Sequence, residues 1–227
     1  MGHGTRLLAI RHGETAWNVD ARIQGQLDVP LNDAGRWQAE RVADALADGE
    51  DIAVIYASDL VRAAATAEAI SQRVGLPVIH DTGLRERQFG LFQGRTVAEV
   101  EAIHPELVKR WKSRDPDFTP DGGESLRAFF ERTVSTAHRL ADAHPGQTVV
   151  LVAHGGVLDC LYRAACGMAI EAPRTWQLGN ASINRLLYTG ERLTVIGWGD
   201  TQHLDGAALE ESSDGGRQGV APGGSLS

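Results

Sequence analysis

Arg11-His12-Gly13-Glu14-Thr15 follows directly on the apolar run Leu7-Leu8-Ala9-Ile10, and His154-Gly155-Gly156 follows directly on Val149-Val150-Leu151-Val152-Ala153. Arg62 stands just past a third apolar run, Ala53 to Tyr56, in the first turn of the helical pattern that comes after it. In an open α/β sheet, ligands bind beyond the carboxyl ends of the strands. Three such ends would bring two imidazoles and two guanidinium groups to one place, and nearby helix N-termini would add partial positive charge and free N–H groups. A pocket of that composition suits a small, doubly charged anion, and phosphate is the obvious one. Each part alone is weak. A histidine after a buried strand is commonly a satisfied core residue, Arg62 alone reads as a solvated helix residue, and Glu86 between Arg85 and Arg87 reads as a surface ion pair of little energetic worth. The joint arrangement carries the reading, because two His-Gly turns placed directly after buried-type strands rarely coincide by chance.

The elements that must position these groups follow from hydrophobic patterning. Strands are expected at Arg6 to Ile10, Ala53 to Tyr56, Pro77 to His80, Thr148 to Ala153, Ile183 to Tyr188 and Leu193 to Trp198. The first four are short apolar runs without alternation, as in strands covered on both faces. Between them lie helical patterns that Asn32, Ser58 and Ser125 can cap. Strand alternating with helix predicts an α/β fold, a three-layer α/β/α sandwich around a six-stranded, mostly parallel sheet. The linker Thr189-Gly190-Glu191-Arg192 is too short for a crossover, so the last two strands are expected to form a C-terminal antiparallel hairpin, which makes the sheet mixed. Residues 1–204 read as one domain. Within it, 81–124 is broken by Pro105, Pro116 and Pro120 and reads as a lid or specificity insertion at one end of the sheet. Residues 205–227 read as a flexible Gly/Ser-rich tail.

Composition narrows the class without naming a reaction. The chain has 227 residues, 42% apolar and 23% charged, ordinary for a globular domain of enzyme size. A net charge of −8 argues against a nucleic-acid polymer as partner, and no apolar stretch is long enough for a membrane helix. The N-terminal apolar stretch is too short for a signal peptide. Cys160 and Cys166 read as reduced core residues of a cytoplasmic protein, with neither a disulfide nor a metal site between them. Homodimerisation stays open.

Across residues 5–204 the chain resembles the histidine phosphatase superfamily, also called the phosphoglycerate mutase-like family. The matching segments are Arg11-His12-Gly13-Glu14-Thr15 with Asn18, Gln24-Gly25, Leu31 to Gly35 with Gln38-Ala39, Ser58-Asp59-Leu60 with Arg62 and Thr66-Ala67, Leu84-Arg85-Glu86 with Phe89-Gly90 and Gln93-Gly94, Gly123-Glu124-Ser125, and His154-Gly155-Gly156. The resemblance implies that His12 is the nucleophile that takes the phosphoryl group on a ring nitrogen. Arg11, Arg62 and His154 would clamp the phosphoryl oxygens, with Asn18 and the backbone at Gly155 in support. Glu86 would protonate the departing oxygen and then take a proton from the incoming acceptor. Gln24, Gly25, Arg87 and Phe89 would complete the substrate site. No metal and no cofactor are implied.

Within this superfamily, water as acceptor gives a phosphatase, whereas a second hydroxyl on a bound phosphoglycerate gives a mutase, which must exclude water. The mutases carry a long insertion before the second histidine and an aromatic-lysine-arginine-arginine set for the substrate carboxylate. Here the stretch from Glu86 to His154 is short, Phe89 replaces the tyrosine, Val97 the lysine, and Lys112-Ser113 the paired arginines. The expected activity is a metal-independent phosphomonoester hydrolase that forms a phosphohistidine. Its substrate would be a small anionic phosphorylated metabolite: a phosphoglycerate derivative, a sugar phosphate or a nucleotide. The alternatives are a cofactor-dependent phosphoglycerate mutase, primed by 2,3-bisphosphoglycerate, and a catalytically silent phospho-ligand binding module. The presence of both His12 and Glu86 speaks against the last. Arg85, Arg87, Arg95, Lys109, Arg110, Lys112 and Arg114 give 81–124 a basic bias, which fits either a second contact to an anionic substrate or a solvated helical face.

Overall fold

The computed structural model describes residues 4–205. Its strands are β1 (Thr5–Arg11), β2 (Ile52–Ala57), β3 (Val78–His80), β4 (Thr148–Ala153), β5 (Ile183–Tyr188) and β6 (Leu193–Asp200). Its helices are α1 (Ala16–Val19), α2 (Asp33–Gly49), α3 (Val61–Val74), α4 (Val97–Ile103), α5 (Pro105–Lys112), α6 (Leu126–Asp142) and α7 (Gly155–Cys166). The strands make one six-stranded sheet in the order β3-β2-β4-β1-β5-β6. β1 to β4 run parallel, and β5 pairs antiparallel with both β1 and β6.

Successive residues of a strand point to opposite faces, and both faces of the central strands are covered. Leu7 and Ala9 of β1, with Val149, Leu151 and Ala153 of β4, pack on apolar side chains of α6 and α7. Leu8 and Ile10, with Val150 and Val152, pack on α2 and α3 through Val42, Leu46, Ala63, Ala67 and Ile70. This double burial is why β1 and β4 read as unbroken apolar runs, and it yields the expected three layers. A third, smaller cluster of Phe92, Val100, Val108 and Phe118 holds α4 and α5 together within 81–124. Apart from isolated bridges at Phe89–Gly123 and Arg22–Thr96, that segment has no strand, as expected.

The caps at Asn32 and Ser125 form as the sequence suggests: each side chain accepts from a backbone N–H in the first turn, at 2.8 and 3.0 Å. Ser58 does not cap α3. The helix starts after Leu60, without a side-chain cap, and the Ser58 hydroxyl faces His154 instead. Cys160 is buried as expected, whereas Cys166 at the end of α7 is exposed and not a core residue; both thiols are free. No described helix is long and apolar enough to cross a membrane. Beyond Asp205 the Gly/Ser-rich tail lies outside the described residues.

Candidate active site

Arg11 at the end of β1 is in register with Ala153 at the end of β4, so the next residues, His12 and His154, leave adjacent strands side by side. The ring centroids are 5.2 Å apart. A carbon at position 13 would meet the backbone oxygen of Gly35 at 2.3 Å, so only glycine lets the chain turn past the start of α2 here. His12 Nδ1 lies 2.7 Å from the Gly13 oxygen, which makes Nδ1 the protonated nitrogen and leaves the Nε2 lone pair free. Burial, reinforced by the guanidinium groups of Arg11 and Arg62, holds the His12 imidazole well below the ordinary histidine value of 6.5. Burial and the same cationic surroundings hold His154 low as well. Both rings are therefore neutral, and His12 has the form a nucleophile requires.

Arg62, on the first turn of α3, is 1% exposed. Its two terminal nitrogens donate to the carbonyls of Leu27 and Gly25 at 2.9 and 2.7 Å. Burial lowers its pKa to about 10, with Glu86 and Asp28 opposing the shift, so it stays charged at neutral pH. Arg11 donates through Nη1 to the Leu178 carbonyl. Three buried nitrogens around His12 have no partner: Arg11 Nε, Arg62 Nε and His154 Nδ1. Buried donors without acceptors are costly, about 1–3 kcal/mol each and more for charged groups. A cluster of them is an anion site waiting for oxygen atoms.

Glu86 faces the same space. Its carboxylate accepts from Arg87 N–H at 2.8 Å and from Gly156 N–H, in the first turn of α7, at 2.9 Å. A carbon at position 156 would meet Glu86 Oε1 at 2.1 Å, which explains the second glycine of His154-Gly155-Gly156.

A cavity of about 190 Å³ is lined by Arg11, His12, Asn18, Gln24, Gly25, Arg62, Glu86, Phe89 and Gly155, together with Arg22, Ile23 and Trp111. Asn18 Oδ1 caps α1 by accepting from the Thr15 N–H at 3.0 Å, which leaves its amide NH₂ free. His154 is fully buried behind this cavity, its Nε2 held 2.9 Å from Ser58 Oγ. Arg87 does not reach the cavity. Its guanidinium donates to the carbonyls of Glu124 and Phe118, and it borders a neighbouring cavity instead.

A model described as "Histidine phosphatase superfamily (branch 1)" matches residues 7–201. The chain belongs to this superfamily. Phosphoglycerate mutase-like protein 4 of Arabidopsis thaliana is 41% identical over 213 residues, which cover 92% of this chain and 91% of that one. The metal-independent phosphoserine phosphatase of Arabidopsis thaliana is 35% identical over 214 residues, covering 93% and 88%. Among solved structures, a mycobacterial glucosyl-3-phosphoglycerate phosphatase in complex with VO3 superposes with a TM-score of 0.78 at 36% identity, covering 86% of this chain and 99% of that one. As a histidine phosphatase superfamily member with phosphatase relatives, the chain is an enzyme of phosphoryl transfer.

Several neighbours of the site in this superfamily member escaped the sequence reading. Asn180 donates to the His12 carbonyl at 3.0 Å, and Arg174 to Leu178 line a cavity of about 550 Å³ beside Arg11 and Gly155. They arrive because β5, antiparallel to β1, starts where β1 ends. The signal was an arginine, a tryptophan and an asparagine in the linker between α7 and β5.

Proposed function

We propose that the protein hydrolyses phosphomonoesters through a phosphohistidine at His12. The observation that carries this reading is the trio of unpartnered buried nitrogens on Arg11, Arg62 and His154, the side chains that surround the neutral imidazole of His12. In the first step the Nε2 lone pair attacks phosphorus, the bond to the ester oxygen breaks, and Glu86 gives that oxygen its proton. In the second step water attacks the phosphorus, Glu86 takes the water proton, the P–N bond breaks, and inorganic phosphate leaves. Arg11 and Arg62 carry fixed positive charge toward the equatorial oxygens in both steps, in a geometry lysine would not match. None of these steps calls on a metal or a cofactor.

Hydrolysis is favoured over mutase turnover by what surrounds the cavity. Lys112, which stands where a mutase has an arginine for the substrate carboxylate, is committed to Glu101 at 2.8 Å. The cover, residues 81–124, is our candidate lid and specificity element. It is small, and a second cavity, of about 550 Å³, opens beside Arg11 and Gly155, two residues that also line the cavity over His12. The free thiols of Cys160 and Cys166 suit a reducing compartment such as the cytoplasm. The test is phosphate release over a panel of phosphomonoesters with 2- and 3-phosphoglycerate interconversion followed in parallel. Release should outpace interconversion; the reverse order overturns the hydrolase reading.

A further inference from the structure

Ala181 has φ +53°, in the left-handed region that L side chains avoid. Two other described non-glycine residues, Ala21 and Arg114, share that conformation, but only Ala181 is fully buried. Such a residue persists where its surroundings over-determine it, and strain of this kind clusters at working sites. Here it lies beside His12.

Arg11 is the last residue of β1 in register with β4, so the sheet holds the backbone of His12 on one side only. The His12 N–H still donates to the Ala153 carbonyl at 3.0 Å. The His12 carbonyl accepts instead from Asn180 Nδ2 at 3.0 Å and from the Ala181 N–H at 3.3 Å, and the same N–H reaches the Arg11 carbonyl at 3.0 Å. The other end of Ala181 is held as well: its carbonyl lies 3.0 Å from His203 Nε2. In a neutral ring that contact assigns the proton to Nε2, so His203 donates. His203 belongs to a single 3₁₀ turn, Gln202–Leu204, that follows β6. Its own carbonyl accepts from Arg41 Nε of α2 at 3.1 Å.

We propose that His203 is a positioning residue for the nucleophile. It fixes Ala181 in the left-handed conformation, and Ala181 with Asn180 fixes the His12 carbonyl and with it the approach of the ring to phosphorus. This rests on the reading of His12 as the nucleophile. His203 does not line the cavity over His12, so its effect passes through Ala181. The groups that meet the phosphoryl oxygens are held by other contacts: Arg11 by the Leu178 carbonyl, Arg62 by those of Leu27 and Gly25, and His154 by Ser58. Loosening the turn therefore misplaces the attacking atom while leaving the anion site intact, which costs rate and spares binding.

The experiment follows p-nitrophenolate release in the first turnover of p-nitrophenyl phosphate by the full chain at neutral pH, at a temperature where each variant is folded. The inhibition constant of inorganic phosphate and the melting temperature are recorded beside it. His203→Ala should slow the first turnover about five- to tenfold, the worth of one hydrogen bond, and change the inhibition constant by less than about twofold. His203→Gln, whose amide can donate to the same carbonyl, should recover most of the rate. Glycine adopts positive φ without strain, so in an Ala181→Gly background the further loss on His203→Ala should shrink to about twofold. Should His203→Ala fail to fold, Arg41→Ala loosens the turn without altering the ring and should slow the first turnover about two- to threefold. An unchanged first turnover in the folded variant, equal impairment in His203→Ala and His203→Gln, or an undiminished loss in the Ala181→Gly background overturns the positioning role and leaves the phosphohistidine reading intact. A wild type in which His12 carries no phosphoryl group during turnover overturns that reading itself.

Discussion

His154 Nε2 sits 2.9 Å from the hydroxyl of Ser58, and both residues are fully buried at the ends of neighbouring strands, β4 and β2. The contact locks the ring that stands 5.2 Å from His12 and leaves His154 Nδ1 as the nitrogen available to a phosphoryl oxygen. Ser58→Ala should therefore act on two readouts. Stability should fall by about 1–3 kcal/mol, since a buried ring nitrogen loses its partner. Turnover should fall with it, and a double-mutant cycle with His154→Gln should show coupling of at least about 0.5 kcal/mol. Urea unfolding together with kcat measures both, and additive effects would mean that Ser58 does not position the ring.

The neutral histidines make stability depend on pH with a definite sign. His12 and His154 have folded-state values well below the ordinary 6.5, mainly through burial. Above about pH 6.5 neither the folded nor the unfolded chain charges these rings, so they impose no penalty. Below it the unfolded chain binds protons that the folded chain refuses, and the folded state loses up to about 1.4 kcal/mol per pH unit for each ring. Urea titrations from pH 8 to pH 5 should show this loss, with a smaller slope in His154→Gln. A slope unchanged by that substitution would mean that His154 charges freely in the folded protein. His203 is also lowered by burial, so the comparison between the two proteins, not the slope of either alone, isolates the active-site ring.

Glu86 is held by the N–H of Gly156, and position 156 has no room for a methyl group. Glu86→Gln should slow hydrolysis of alkyl phosphates by about 10²- to 10⁴-fold, the usual range for a lost general acid–base. The loss should be much smaller on p-nitrophenyl phosphate, whose leaving group needs little protonation. Gly156→Ala should show the same selectivity in weaker form by displacing the carboxylate. Parallel losses on the two substrate types would argue that Glu86 serves another purpose.

The unpartnered nitrogens of Arg11, Arg62 and His154 should make inorganic phosphate a stabilising ligand. At a hundred times its dissociation constant, phosphate should add about 2.7 kcal/mol to the unfolding free energy. Thermal melts across a phosphate titration at constant ionic strength measure the effect, and Arg62→Gln should remove most of it. An equal rise in wild type and variant would assign the effect to the bulk salt.

Much of this was legible because the central strands carry their own signature. Leu7 to Ile10 and Val149 to Ala153 are apolar at every position, so they had to be doubly covered, parallel and central, and the residues after them had to share one end of the sheet. Patterning alone therefore places His12 and His154 at that end. The part that stayed hidden is tertiary. Pairing of β5 with β1 leaves no trace in either strand's local pattern, yet it delivers Asn180 and Arg174 to the site. Hydroxyl residues before helices usually cap them, but at Ser58 a buried histidine competes for the hydroxyl. Nothing in the neighbours of Arg87 announces that its Nε and Nη2 donate to the carbonyls of Glu124 and Phe118, which turns it toward the cavity next to the one over His12. Of the basic residues in 81–124, Arg85, Arg110 and Lys112 prove to be paired with Asp59, Asp115 and Glu101, while Arg114 turns inward to Asp159.

The most direct test is to quench the enzyme during turnover of a ³²P-labelled phosphomonoester and locate the label. The account predicts an acid-labile, base-stable phosphoryl group on His12, present in the wild type and lost together with activity in His12→Ala. Label on any other side chain, or full turnover by His12→Ala, would contradict it.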